Sequence, residues 1–376
     1  MSSRSWLTAL ATAATAIAAT IAPAAALPAA AAEPSATQAR ARFLGQATLP
    51  HKLQFEGTTV GGLSGVDRDP WTGEYVLISD DRSNTNPARV YAARVDVDAD
   101  GVHDPRITGT KALRRADGTT YPPNSVDPEE VRIDPLSGDL WWSQEGNRAA
   151  TPVQPSIERS TRAGAHRSTL PLPANYAITP DAGPRGNLAL EAITFDAAGT
   201  LLTSVVEGPL LEDGEESTVD EGSLARITVQ TRFGHVLAQY AYPLEPLFAE
   251  PKPDPWGPDT GVSAILADPR HPGRYLAVER SWVPGWNYKV RVYEIDVLGA
   301  SDIKHVRSLA TDGDGVRPVR KRLVADLHDL PLPVIDNVEG LVWGPRLPSG
   351  ERTLVLVSDD NFAAEEFTRF IALAVR

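Results

Sequence analysis

The sequence contains no cysteine, and its one methionine is the initiator. Disulfides, zinc–thiolate sites, iron–sulfur clusters and cysteine nucleophiles are therefore excluded. Acidic residues outnumber basic ones by 49 to 36, and a formal net charge of −13 lacks the basic footprint that nucleic-acid binding requires. Long apolar runs are also missing beyond residue 32. No later segment reaches the roughly 18 residues that a membrane-spanning helix needs.

Familiar catalytic motifs are missing as well. The sequence has no G-x-S-x-G elbow, no H-E-x-x-H, no P-loop and no G-x-G-x-x-G, and its seven histidines show no metal-ligand spacing. A Ser/His/Asp hydrolase is therefore not supported.

The first 32 residues have the features of a secretory signal. Arg4 precedes an almost uncharged, alanine-rich run that ends in three alanines before Glu33. We predict a signal peptide over residues 1–32 with cleavage near Ala32, a linker over 33–41, and one domain over 42–376. The mature protein is then secreted, extracellular and, we expect, monomeric. An N-terminal membrane anchor is the alternative, although Pro23 and Pro28 interrupt the run.

One phrase occurs five times in the rest of the chain. Its copies begin at Leu63, Pro128, Leu190, Val262 and Val338. Each has a short alternating apolar segment, a turn with Asp-Pro or Gly, and a second apolar segment that ends in an acid, as in PEEVRIDPLSGDLWWSQEG. This is the pattern of a β-hairpin. Another strand-like run follows each copy, and a fourth run often appears, as in His235–Tyr242 and Ile303–Leu309.

Four-stranded units that recur every 62–76 residues in an all-β chain predict a β-propeller in which each unit is one blade. The 344 residues after the signal peptide fit five blades of four antiparallel strands. We expect the N-terminal run Arg42–Leu49 to add the last strand of the fifth blade and to close the ring. A sixth blade around Asp302–Pro333 is the alternative, but this segment is short for four strands.

Two columns of mostly acidic residues appear when the five copies are aligned on their turns. The first column precedes the turn and contains Ser64, Glu129, Glu191, Ser263 and Glu339. The second follows the turn and contains Asp80, Glu145, Glu207, Glu279 and, after an insertion, Asp359. The two outer ends of an antiparallel hairpin lie on the same side, and the first strand of a blade lines the central channel. Both columns should therefore surround one mouth of that channel.

Up to eight carboxylates around one axis repel one another and cannot all stay ionised without a counter-ion. Oxygen ligands without histidine or cysteine suit Ca²⁺, which takes six to eight oxygens in flexible geometry. The columns therefore predict a calcium site with an unspecified number of ions. The alternative is that each acid caps a strand end.

A second calcium candidate lies in a predicted hairpin of the first blade. Asp96, Asp98, Asp100 and Asp104 form the pattern D-x-D-x-D-G-x-x-D, which resembles the calcium loops of integrin-type propellers. Ile107 stands where an EF-hand would place its bidentate glutamate, so that version fails. A plain aspartate-rich hairpin is the alternative.

Basic residues follow the second column. Arg82, Arg148 and Arg280 come one to three positions after it, and Lys289 begins the next strand. Because guanidinium groups bind phosphate oxygens in pairs, we expect these four residues to bind a phosphate. Ordinary Arg–carboxylate pairs between blades are the alternative.

The repeated phrases resemble the phytase-like propeller family, described as "esterase-like activity of phytase". The resemblance rests on GGLSGVDRDPWTGEYVLISDDRS from Gly61, VDPEE from Val126, NLALEAI from Asn187, and DNVEGLVWGP with LVSDDN near the C-terminus. It implies a secreted bacterial propeller that releases phosphate from phosphomonoesters with calcium. The chain has only six lysines, whereas propeller phytases use several, and this argues against phytate itself as the substrate.

From the sequence we expect a calcium-dependent hydrolase with a small phosphorylated or ester substrate. Glu191 or Glu339 would take the proton of the attacking water. The alternatives are a non-catalytic calcium-stabilised binding propeller and a propeller lactonase or esterase.

Overall fold

The structure is a computed structural model, and it describes residues 41–375. The predicted signal peptide and all but the last residue of the predicted linker lie outside these residues. In the described part of the chain, no helix is long and apolar enough to cross a membrane.

Three strands come before the first complete blade: β1 (Ala41–Thr48) and the small hairpin of β2 (Gln54–Phe55) and β3 (Thr58–Thr59). The first blade contains β4 (Leu63–Arg68), β5 (Tyr75–Ser79), β6 (Arg89–Val97) and β7 (Val102–Ala112). The second contains β8 (Pro128–Ile133), β9 (Leu140–Gln144), β10 (Ser156–Ser160) and β11 (His166–Leu170).

The third blade contains β12 (Leu190–Phe195), β13 (Leu201–Val206), β14 (Leu224–Thr231) and β15 (Val236–Pro243). The fourth contains β16 (Asp259–Ala267), β17 (Arg274–Val283), β18 (Asn287–Asp296) and β19 (Arg320–Asp326). The fifth contains β20 (Asn337–Arg346), β21 (Arg352–Asp359) and β22 (Arg369–Val375), with β1 as its outer strand. The longest helix among these residues is the single turn α1 (Leu309–Asp312).

All five sheets are antiparallel, and their innermost strands β4, β8, β12, β16 and β20 contact one another in a ring. The protein is therefore an all-β propeller of five four-stranded blades, as the repeats predict. The apolar core lies between neighbouring blades. Between the first and fifth blades, for example, Leu63, Tyr75 and Tyr91 pack with Val355 and Phe370.

The prediction of a strand at Ile303–Leu309 was wrong. The outer strand of the fourth blade is β19, which lies within the segment that the six-blade alternative needed. Ile303 and Leu309 are instead buried against Ala241 of β15, and Arg226 donates to the main-chain oxygen of Ile303 at 3.4 Å. The apolar pattern in this segment anchors a loop to the neighbouring blade.

The guanidinium of Arg132, on β8, lies on the propeller axis. It donates to one main-chain oxygen from the innermost strand of each other blade, at 2.8–3.1 Å: Val66, Ile193, Ile265 and Leu341. Its Nη2 also lies 2.6 Å from Glu130 Oε2. A single buried side chain therefore connects all five blades.

Candidate functional site

The first acidic column lies on five equivalent irregularities of the innermost strands. In every blade the pairing between the first two strands shifts within the first half of the innermost strand, as between Pro128 and Val131 and between Leu190 and Ala192. The residues that follow the last paired position before the shift are Ser64, Glu129, Glu191, Ser263 and Glu339. A β-bulge redirects the side chain that it carries, and bulges are common beside active sites.

The second column contains an arginine, which the sequence alignment did not place there. Main-chain bonds close the first turn from Asp69 N to Glu74 O, whereas the fourth blade's turn is one residue longer, from Asp268 N to Arg274 O. The extra residue places Arg280 where the alignment placed Glu279. The column is therefore Asp80, Glu145, Glu207, Arg280 and Asp359.

Two groups of three carboxylates are close enough to share metal ions. Within residues 41–375, the ligand atoms of Asp127, Glu129 and Glu145 all lie within 4.8 Å of one another, and so do those of Glu145, Glu191 and Glu207. Glu145 belongs to both groups. We call this end of the channel the acidic mouth, which consists of Asp80, Asp127, Glu129, Glu145, Glu191, Glu207, Glu339 and Asp359.

The carboxylates of the acidic mouth are buried, and their negative charges repel one another. Burial raises the pKa of Glu145, and the charge of Asp127 raises it further. Burial raises the pKa of Glu191 in the same way, with Glu207 and Glu145 adding to the effect. Burial also raises the pKa of Asp127 to about 6, although Arg82 opposes it. Bound cations would reduce this cost, because they would favour the ionised carboxylates that burial and mutual repulsion disfavour.

Two further features fit a metal. Asp127 Oδ2 and Asp359 Oδ2 are buried and have no hydrogen-bond partner within the described residues. The backbone also leaves room for the carboxylates: a Cβ on Gly62, whose φ is +60°, would lie 2.1 Å from Asp80 Oδ1. The donor set is all oxygen, which matches Ca²⁺.

Arg280 is a buried counter-ion of the acidic mouth. Its Nη2 pairs with Glu207, and its Nη1 donates to Asn337 Oδ1 at 2.8 Å and lies 3.7 Å from Glu339 Oε1. Asn337 also donates to Glu339 at 2.9 Å. These contacts leave Arg280 little freedom to bind a substrate.

Arg82 faces solvent instead, with 36% of its side chain exposed. Its Nε donates to Asp127 Oδ1 at 2.8 Å and its Nη2 lies 4.0 Å from Glu145 Oε2, so it borders the first carboxylate group.

Asp81 fixes the loop that carries Asp80 and Arg82. Asp81 accepts three main-chain N–H bonds and pairs with the buried Arg89 at 2.7 Å.

Three other residues predicted for the site have partners elsewhere. Glu279 lies 2.8 Å from Lys321 Nζ and accepts from Tyr242, because alternation along β17 turns it away from Arg280. Arg148 donates to the main-chain oxygens of Thr179, Ala182 and Pro184. Lys289 Nζ lies 3.5 Å from Asp326 Oδ2.

The hairpin that carries Asp96, Asp98, Asp100 and Asp104 joins β6 and β7. Asp98 accepts from the main-chain N–H groups of Asp100 and Gly101, at 2.8 and 3.1 Å, and its Oδ1 lies 3.3 Å from His103 Nε2. Within residues 41–375, this hairpin brings no three carboxylates within 4.8 Å of one another. Its geometry is that of an aspartate-stabilised turn.

Sequence reasoning missed several residues of the site. Asp127 lies two residues before Glu129, outside both columns, and Asp259 adds charge next to Glu207 and Arg280. The phrases V-D-P-E-E and D-N-V-E-G carry polar residues two positions before the first column, at Asp127 and Asn337. Those positions could have been included from the sequence alone.

Comparison with known families shows which family the chain belongs to. The profile of the phytase-like family, described as "Esterase-like activity of phytase", matches residues 58–362. The chain is therefore a member of this family, as the repeated phrases suggest. A search of curated proteins gives no match.

Several solved structures are similar to this chain at low identity. A bifunctional GH43-CE protein of Bacteroides eggerthii has 13% identity and a TM-score of 0.44; the match covers 87% of this chain and 34% of that one. The gluconolactonase XC5397 of Xanthomonas campestris has 14% identity and a TM-score of 0.35, covering 89% and 91%. The periplasmic gluconolactonase PpgL of Pseudomonas aeruginosa has 11% identity and a TM-score of 0.34, covering 85% and 86%. Such distant matches contribute nothing to the assignment of function.

Proposed function

We propose that the protein is an exported, calcium-dependent hydrolase of phosphate monoesters, with the acidic mouth as its active site. The observation that carries the proposal is the pair of three-carboxylate groups that share Glu145. The unpartnered Asp127 Oδ2 supports it. Family membership agrees with an ester substrate.

The residues divide into four roles. Asp127, Glu129, Glu145 and Glu207 would hold calcium, with Asp80 and Asp359 completing the negative ring, and Glu191 of the second group would be left for proton transfer. When bound, calcium supplies charge that polarises the phosphoryl group and makes a water molecule easier to deprotonate. Arg82 would hold a non-reacting phosphate oxygen, and Arg280 stays a fixed counter-ion.

Glu191 is the better of the two candidates for general base. Its carboxylate makes no hydrogen bond or ion pair to any described residue, whereas Glu339 accepts from Asn337 and lies 3.7 Å from Arg280. Glu191 also lies within 4.8 Å of Glu145 and Glu207, next to the carboxylates that would hold calcium and the water. Glu191 would take the proton of the attacking water.

Substrate profiling tests the proposal. The purified mature protein is assayed for phosphate release from p-nitrophenyl phosphate, sugar phosphates and phytate, with calcium and then with a chelator, and carboxylic esters and lactones are assayed in parallel. We expect phosphate release that requires calcium. Hydrolysis of carboxylic esters alone would contradict the proposal in favour of an esterase, and calcium stabilisation without any turnover would indicate a binding propeller.

A further inference from the structure

Arg82 and Asn187 meet at the edge of the acidic mouth, beside the group of Asp127, Glu129 and Glu145. Arg82 follows β5, and Asn187 comes three residues before β12. Arg82 Nη2 donates to Asn187 Oδ1 at 3.3 Å. A guanidinium can only donate, so the carboxamide must face it with its oxygen. The Nδ2 group of Asn187 is therefore turned away from Arg82.

Two donor groups remain available at this place. Arg82 Nη1 and Asn187 Nδ2 make no hydrogen bond to any residue in 41–375, and both side chains reach solvent. Arg280, the arginine of the second column, is by contrast surrounded by carboxylates and Asn337. Arg82 and Asn187 thus present adjacent N–H donors toward solvent next to the proposed metal ligands.

Three residues near Arg82 have a left-handed backbone conformation. Asn187 has a φ of 56°, Ser83 has 59° and Asn124 has 58°. The main-chain N–H of Asn124 donates to Arg82 O at 2.7 Å. Glycine adopts this conformation most easily, and residues with side chains in it concentrate at functional sites. At position 187 the chain keeps a carboxamide where glycine would fit the backbone.

We propose that Arg82 and Asn187 form an oxyanion subsite that binds phosphate oxygens of the substrate and selects anionic esters over neutral ones. The inference rests on the proposed function, because Asp127 and Glu145 would repel an anion unless a bound cation neutralised them. Asn187 is then a specificity-determining residue, and the subsite fills only when calcium is present.

The test is isothermal titration of inorganic phosphate into the calcium-saturated protein. Asn187→Asp keeps the size, the left-handed backbone and the acceptor for Arg82, but it replaces the N–H donors with a negative charge. Asn187→Gly removes the carboxamide without adding charge. Asn287→Asp is the matched control, since Asn287 is also exposed, has a φ of 71°, and is the first residue of β18.

We expect the wild type and Asn287→Asp to bind phosphate equally, and Asn187→Gly to bind it several-fold more weakly. Asn187→Asp should lose at least about tenfold in phosphate affinity, because a charge-assisted contact is replaced by repulsion. Calcium affinity, measured for each variant in the same way, should stay within about twofold. Unchanged phosphate affinity in Asn187→Asp would overturn the subsite even if esters are hydrolysed. Phosphate binding that depends on Asn187, without ester hydrolysis, would support the subsite and contradict the proposed function.

Discussion

Arg132 Nη2 lies 2.6 Å from Glu130 Oε2 on the propeller axis, and the other donors of this arginine reach the remaining four blades. The pair occupies the position where five innermost strands converge. Burial raises the pKa of Glu130 to about 8 even though Arg132 opposes the shift. Arg132 thus contacts four main-chain oxygens in addition to this carboxylate.

Replacement of Arg132 should destabilise the whole propeller. Arg132→Met would leave four buried carbonyl oxygens without this donor, and we expect a loss of about 3–5 kcal/mol in the free energy of unfolding. Chemical denaturation measures this loss. Arg159→Met is the control, because Arg159 is one-third exposed and pairs with Asp139. An equal, small effect of both substitutions would contradict the role of Arg132.

Without calcium, the stability of the protein should fall as pH rises from about 5 to 8, a window set by ordinary carboxylate pKa values and the raised ones. Burial raises the pKa of Glu207 to about 7 and that of Asp127 to about 6, although Arg280 and Arg82 oppose these shifts. The folded state then holds more protons than the unfolded state in this window, so each such group makes folding less favourable as it ionises.

Groups with lowered pKa values act outside that window. Burial opposes ionisation of Asp134, but hydrogen bonds from Arg232 and Ser137 lower its pKa. The stability that ionised Asp134 contributes is therefore lost only below about pH 4. Melting temperatures with chelator and with calcium, taken across the pH range, check the prediction. Calcium should flatten the decline, and a metal-free protein that gains stability up to pH 8 would contradict it.

Glu191→Gln should abolish turnover and leave the fold intact. The substitution removes a buried charge that Glu207 and Glu145 repel, so the melting temperature without calcium should stay the same or rise. Steady-state phosphate release and thermal unfolding are measured together. Glu294→Gln, on β18 and paired with Arg322, serves as the control and should behave like the wild type. Full activity of Glu191→Gln would remove Glu191 from the mechanism.

Gly261 gives the side chain of Glu207 its space. A Cβ at position 261 would lie 2.1 Å from Glu207 Cγ, whereas a Cβ on Gly109 would meet nothing closer than 3.7 Å. Gly261→Ala should therefore displace Glu207, disturb its pair with Arg280 and cost about 1–3 kcal/mol. Gly109→Ala is the matched strand control. If denaturation shows equal stability for both variants and calcium affinity is unchanged, the space at Gly261 is not needed.

The repeated phrase was enough to predict the blades. Apolar alternation and turn chemistry identify the two inner strands of each blade. The copy that begins at Leu63 starts where β4 starts, and the copy that begins at Val338 starts one residue after the start of β20. Outer strands carry a weaker signal, because their exposed face tolerates polar residues. For that reason β19, with the sequence RKRLVAD, was missed while the buried loop at Ile303–Leu309 resembled a strand.

The sequence predicted that carboxylates gather at one mouth of the channel, but not all the residues around them. Glu129, Glu145, Glu191 and Glu207 come together as the columns suggest. The fourth blade's turn is one residue longer, so the alignment assigned Glu279 to the second column where the structure has Arg280. Because side chains alternate along a strand, this shift of one residue puts Glu279 on the opposite face. Asn187 could not be identified from spacing, since its place beside Arg82 depends on a loop from another blade.

The most direct test of the account is the rate of phosphate release from p-nitrophenyl phosphate as a function of free calcium, for the wild type and Glu145→Gln. Glu145 belongs to both carboxylate groups, so its substitution should weaken both. We predict a wild-type rate that is zero in chelator and saturates with calcium, and a Glu145→Gln rate that stays near background at the same calcium concentrations. A wild-type rate that chelator leaves unchanged, or a Glu145→Gln curve identical to that of the wild type, would contradict the account.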